Sequence, residues 1–294
     1  MDIYRKKLSV IVLFLLPAFI IYFIFGVVPI VQSVYFSFFE WPGIFGVALK
    51  PVGFKNFINM VNYKEFWIAV KNVLIFTVLN IIIQIPIGYF LAILLSSFCK
   101  GYRFFKTVFF SSVVLPITAT ALLWKFIWGA NENGLLNVLL TKIGLGELSA
   151  AWMLQPSTAL LTVIIANAWC GLGYHMTIGF AAVTGISEDV LESAQIDGAT
   201  GLRRIFLIIV PMIWESIRTS IVLVIIGSLK VFDIVFVMTE GGPNGITHVL
   251  STLLYYEAFK YNNYGLGSAI SVTIFALSIV MAIISLRLTR QKEL

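Results

Sequence analysis

The sequence predicts an all-α, polytopic membrane protein of six transmembrane helices, on three observations. Apolar residues fill 60% and charged residues only 12% of 294 positions. That is more apolar side chain than one soluble domain hides, with too few charges to coat a water-facing surface. Apolar runs of about 20 residues, long enough to cross the hydrocarbon core, recur along the chain between charges or Pro/Gly clusters. The net charge of +6 is spread over short basic clusters between those runs. Such spacing signals membrane topology and argues against nucleic-acid binding.

The spans run over 8–31, 67–97, 104–128, 157–183, 206–237 and 264–286. The first follows Arg5, Lys6 and Lys7, as a signal peptide would. It continues through Pro17 and Pro29 into an aromatic stretch with no small-residue cleavage site, so it is read as a retained helix. An N-terminus in the cytoplasm puts Arg5/Lys6/Lys7, Lys100/Arg103/Lys106, Arg203/Arg204 and Arg287/Arg290/Lys292 inside, and leaves Lys50, Lys55, Lys64, Lys142 and Lys260 outside. The positive-inside rule therefore places both termini in the cytoplasm of a cell-membrane protein. Trp41, Trp67, Trp128 and Trp152 then fall near the outer interface as an aromatic belt. Cys99 and Cys170 have no CxxC spacing and support neither a disulfide framework nor a zinc site. The loops over 39–66 and 130–156 are too short to fold alone, which makes 1–294 a single transmembrane domain.

The segment between the fourth and fifth spans is the least hydrophobic part of the second half, and it is punctuated. Ser187 followed by Glu188 and Asp189 is a helix start, with a hydroxyl to cap orphan amides and acids at the positive end of the dipole. Asp197-Gly198 is a helix stop, the glycine supplying a left-handed turn. The residues over 187–204 are thus expected to form a short cytoplasmic helix, a tight turn, and a second helix entering the membrane through Arg203 and Arg204. Ser193, Ala194, Gly198 and Ala199 are small enough for another protein to approach closely.

Here the sequence resembles the binding-protein-dependent ABC importer permeases, whose EAA loop reads E-A-A, three residues, G, nine residues, I-x-L-P. The chain has Glu192-Ser193-Ala194, then Gly198, then Ile208-Ile209-Val210-Pro211, with every spacing kept and only Ser193 and Val210 departing. The likeness covers nearly the whole chain and is nearest to sugar permeases of the maltose and glycerol-phosphate type. It includes Phe38-Phe39-Glu40-Trp41, Val52-Gly53-Phe54-Lys55-Asn56-Phe57, Asn72-Val73-Leu74-Ile75-Phe76-Thr77, Gly134-Leu135-Leu136-Asn137, Ile196-Asp197-Gly198-Ala199 and Thr239-Glu240-Gly241-Gly242-Pro243. The resemblance implies the type I importer permease architecture. It also implies a coupling helix over 188–201, with Glu188, Glu192, Ser193, Ala194, Asp197, Gly198 and Ala199 seated on an ATPase. The implied partners are a second permease, ATP-binding subunits, an extracytoplasmic solute-binding protein, membrane lipid and a carbohydrate substrate. The permease itself would be non-catalytic and bind no cofactor, with ATP and Mg on the partner ATPase.

Polar groups within spans are costly and mark candidate solute paths. Asn80 and Gln84, at i and i+4, serve either interhelical bonding or solute contact. Lys230 and Asp233, three apart on an expected helix, either pair with each other or meet solute. Lys125 and Arg218 lie near span ends, where snorkelling accounts for them. The stretch from Asn167 to Tyr174 combines two glycines that loosen a helix with Asn167, Trp169 and Tyr174, an aromatic face beside hydrogen-bonding groups that suits a sugar or, equally, a packing face. The maltose-type resemblance puts Asn167, Gly171, Tyr174, Ser228 and Val231 on cavity positions. It puts Val113 and Ile117 where the maltose case has polar residues, which argues against maltose itself.

His175 and His248 are too far apart in sequence to read as a metal pair. Gly241-Gly242-Pro243 predicts a turn or re-entrant stretch. No GxxxxGK[ST], HExxH or GxSxG occurs. An ion-driven secondary transporter would call for inverted repeats and a carboxylate relay, whereas Asp233 is the sole acid deep in an expected span. A membrane enzyme would need a nucleophile, acid pair or metal cluster that the sequence lacks.

Overall fold

The computed structural model describes residues 2–97, 101–129 and 134–288; Cys99, Lys100, Arg290 and Lys292 lie outside them. The chain divides into two compact units, one of Met1–Lys64 with Leu254–Ala276 and one of Glu65–Leu253 with Leu277–Leu294. Among the described residues, four stretches are each long and apolar enough to cross a membrane: Val12–Phe36, Lys64–Ser96, Ala159–Thr184 and Tyr264–Ile284. Two sharply bent helix pairs raise the number to six if each pair is one span.

In the first unit, α1 (Asp2–Tyr22) passes through a π-helical turn, Phe23–Val27, into α2 (Val28–Phe36). The turn sits immediately before Val28-Pro29, where a ring without an N–H cannot close the normal ladder and its bulk crowds the preceding turn. A minimal hairpin, β1 (Phe39–Glu40) on β2 (Lys50–Pro51), follows, then α3 (Lys55–Asn62). Asn56 Nδ2 donates to the carbonyls of both Ser37 and Phe39, at 2.9 Å each, and so pins the hairpin to α3. Glu257, buried in the π-helical turn Tyr256–Lys260, accepts from Asn263 Nδ2 at 3.0 Å ahead of α15 (Tyr264–Leu288).

The second unit holds α4 (Lys64–Ser97), α5 (Tyr102–Val114), α6 (Ile117–Ile127), α7 (Leu135–Lys142), α8 (Ala159–Thr184), α9 (Glu188–Ile196), α10 (Gly201–Arg204), α11 (Val210–Met212), α12 (Trp214–Leu229) and α13 (Asp233–Thr239). α14 (Leu250–Tyr255) leads out of it. α5 lies along α8, and α13 packs on α6. α4 is tied to α12 by the Tyr89 hydroxyl, which shares hydrogen bonds with Ser216 Oγ at 2.8 Å and Ser220 Oγ at 3.0 Å.

Helix α4 runs unbroken through Pro86, but the third and fifth expected spans bend sharply at or near their prolines. The third breaks at Leu115-Pro116 and turns by 99°, because a proline drives the residue before it out of the helical region, here to φ −68° and ψ 135°. The fifth has a π-helical turn, Ile205–Ile209, ahead of Val210-Pro211, then a 70° bend at Ile213. It ends at Leu229, and α13 starts afresh at Asp233. Lys230 and Asp233 are therefore not three apart on one helix. Both are exposed, and no ion pair joins them. Arg218 is partnered locally by Glu215 one turn earlier, and Lys125 Nζ lies 3.4 Å from the Val237 carbonyl oxygen, which accepts from it.

Candidate functional site

The loop over 187–204 forms the helix, turn and helix that its punctuation predicts. Ser187 occupies the N-cap with extended backbone (φ −64°, ψ 143°), yet its hydroxyl makes no capping bond. The start rests instead on Glu188 and Asp189 at the positive end of the dipole. The stop is a complete Schellman closure: Gly198 N–H donates to the Gln195 carbonyl at 3.1 Å and Ala199 N–H to the Ala194 carbonyl at 2.8 Å. Gly198 has φ +79°, a conformation that costs a residue with a Cβ about 1–2 kcal/mol.

α9 is seated from below and bare above. Ala194 is buried, and Leu191 packs on a cluster formed by Ile85, Tyr89 and Ile93 of α4, Val183 of α8, and Ile209, Ile213, Ile217 and Val224. The opposite face presents Glu188, Glu192, Ser193, Asp197 and Gly198, all exposed. Ile196 and Leu202, 86% and 72% exposed, put two apolar side chains beside those acids. A short rigid helix with a buried keel and an unpartnered mixed face is suited to receive another protein.

The second feature is a cavity of about 330 Å³ between α4, α5, α8 and α12. It brings together Asn167, Gly171, Tyr174 and Ser228, with Val113 and Ile117 on the same wall. Four other candidates lie apart from it. Trp169 lines a separate apolar recess with Trp124 and Phe126, while Lys230, Val231 and Asp233 line neither. The glycines of this stretch do not loosen α8, which is helical throughout Ala159–Thr184. They let neighbours close in: a Cβ on Gly173 would strike the Phe109 carbonyl, and one on Gly171 would strike the Gln84 amide.

The profile of the family described as "Binding-protein-dependent transport system inner membrane component" matches residues 84–292, well over half the chain and including both the loop and the cavity. The chain belongs to that family. It is 34% identical over 277 residues, 94% of each chain, to the probable ABC transporter permease protein YurN of Bacillus subtilis (strain 168). It is 27% identical to the trehalose/maltose transport system permease protein MalF of Thermococcus litoralis, over 95% of this chain and 92% of that one. In fold it matches a chain from the crystal structure of a bacterial ABC transporter involved in the import of the acidic polysaccharide alginate, with TM-score 0.86, 22% identity and complete coverage of both chains. The protein is thus a multi-pass membrane transporter permease.

Sequence reasoning missed several residues of this permease that the structure places at the site. His175 lines the cavity with its Nδ1 buried and unpartnered, and Ser112 and Leu223 are also on its wall. Val224 belongs both to the cavity and to the cluster under α9. Helical spacing offered one available signal, since His175 falls four residues after Gly171.

Proposed function

We propose that this chain is one permease subunit of an ATP-driven carbohydrate importer. It forms its translocation path with a second, related permease, receives solute from an extracytoplasmic binding protein, and is driven by cytoplasmic ATPases that press on α9. The observation that carries this reading is the loop itself: the EAA spacing coincides with a rigid, Schellman-closed helix whose keel sits on a cluster reaching the cavity wall. The carbohydrate part is supported by the trehalose/maltose permease and the alginate importer, together with amide and hydroxyl groups beside Tyr174 in the cavity.

In this mechanism, closure of the ATPases moves α9, the cluster carries the displacement into α4, α8 and α12, and the cavity between those helices changes its access. ATP hydrolysis belongs to the partner, and the basic clusters support both termini lying in the cytoplasm. A tagged chain should co-purify with an ATPase subunit, and Gly198→Arg should abolish uptake and stimulated ATPase activity while the protein still reaches the membrane. Undiminished uptake by that variant would refute the docking role.

A further inference from the structure

The amide groups beside the cavity form an ordered ladder whose direction is set by the backbone. Asn80 Nδ2 lies 2.7 Å from the Phe76 carbonyl oxygen. A carbonyl can only accept, so this contact fixes which end of the Asn80 amide faces it and leaves Oδ1 pointing the other way. That single oxygen receives two donors, Gln84 Nε2 at 2.6 Å and Asn167 Nδ2 at 3.0 Å. Both outer amides are thereby oriented as well: their nitrogens are turned toward Asn80, and their oxygens, Gln84 Oε1 and Asn167 Oδ1, accept no hydrogen bond from the described residues. Gln84 Oε1 lies against Gly171, and Gln84, Gly171 and Asn167 are all residues of the cavity wall.

The wall therefore offers the solute carbonyl oxygens whose polarity is locked from two turns away. Ser112 Oγ donates its proton to the Phe109 carbonyl at 3.0 Å, which leaves that hydroxyl to act as an acceptor too. Among the described residues, no Lys, Arg, Asp or Glu lines the cavity. Hydroxyl groups donate to such oxygens. Carboxylate and phosphate groups are acceptor-only when ionised, so they meet these lone pairs, find donors in Tyr174, Ser228 and His175, and find no Lys or Arg to offset their desolvation.

We infer that the Asn80 ladder makes this chain's half of the path selective for neutral, hydroxyl-rich saccharides over uronates and sugar phosphates. This rests on the carbohydrate reading above and narrows it. The test uses the complete importer in nanodiscs with its binding protein omitted, so that only the membrane chamber selects, and compares maltotriose with trigalacturonate by saturation-transfer NMR. Maltotriose should bind at least about tenfold more tightly, the equivalent of one or two net hydrogen bonds. Asn80→Leu, which frees both amides to rotate, should narrow that preference. Asn167→Leu, which leaves Asn80 and Gln84 paired, should weaken maltotriose about tenfold and leave trigalacturonate unchanged. Trigalacturonate binding as tightly as maltotriose would overturn the inference while leaving the carbohydrate reading intact. Binding of neither saccharide, nor of neutral trisaccharides of other linkages tested alongside, would overturn both.

Discussion

A single added methyl group at Gly173 would land on the carbonyl of Phe109, so α5 and α8 meet backbone to backbone at that point. Gly173→Ala should therefore cost about 1–3 kcal/mol and lower the melting temperature of the purified protein by several degrees. Gly227→Ala, with nothing within 4 Å of the new atom, should leave it unchanged or raise it slightly, alanine being the better helix former. Tyr89→Phe removes the hydroxyl that joins Ser216 and Ser220, and should cost about 1 kcal/mol in the same melting assay. At this scale the sequence is only half informative. Glycine's weak helix propensity suggests a softened α8, but the propensity describes an isolated helix, and what holds α8 straight is a neighbour that propensity does not see. The spacing of Asn80 and Gln84 made a shared helix face, for interhelical bonding or solute contact, legible. The bond between the two, and the one Asn80 accepts from Asn167, 87 residues away, were not.

Individual elements are legible where their cause is local. The start and stop of α9 depend on residues within one turn, and both fall where Ser187, Glu188 and Gly198 place them. Gly198→Asn should preserve uptake, because asparagine tolerates the left-handed turn, whereas Gly198→Val should lose most ATPase stimulation because a β-branched residue cannot adopt it cheaply. Uptake assays on the two variants separate a requirement for that backbone angle from a simple need for small size. The bends at Pro116 and near Pro211 were concealed because hydropathy runs on unbroken through them, and a window of about 20 apolar residues records length without straightness. The same composition covers a straight span and one folded back on itself.

Across the whole molecule, three asparagines in stretches that carry the family resemblance share one task. Asn56 Nδ2 holds the carbonyls of Ser37 and Phe39, Asn72 Nδ2 those of Ile246 and His248, and Asn137 Nδ2 those of Gly129 and Ala150. Each clamps backbone outside the helices, where no helical ladder satisfies it. Asn72→Leu should raise amide hydrogen exchange over 244–249 while leaving α8 protected; unchanged exchange in that segment would show that the turn holds itself. The sequence marked these residues without revealing their reach, since 174 positions separate Asn72 from Ile246. Val224 lies both in the cluster that Leu191 rests on and in the wall of the cavity. Under the proposed function, a side chain held in common by drive and cargo ties two traits into one inheritance. Strains carrying Leu191→Ala, selected for regained growth on the transported solute, should yield second-site revertants at or beside Val224. Lineages that broaden their diet through Val224 would in turn have to retune their motor.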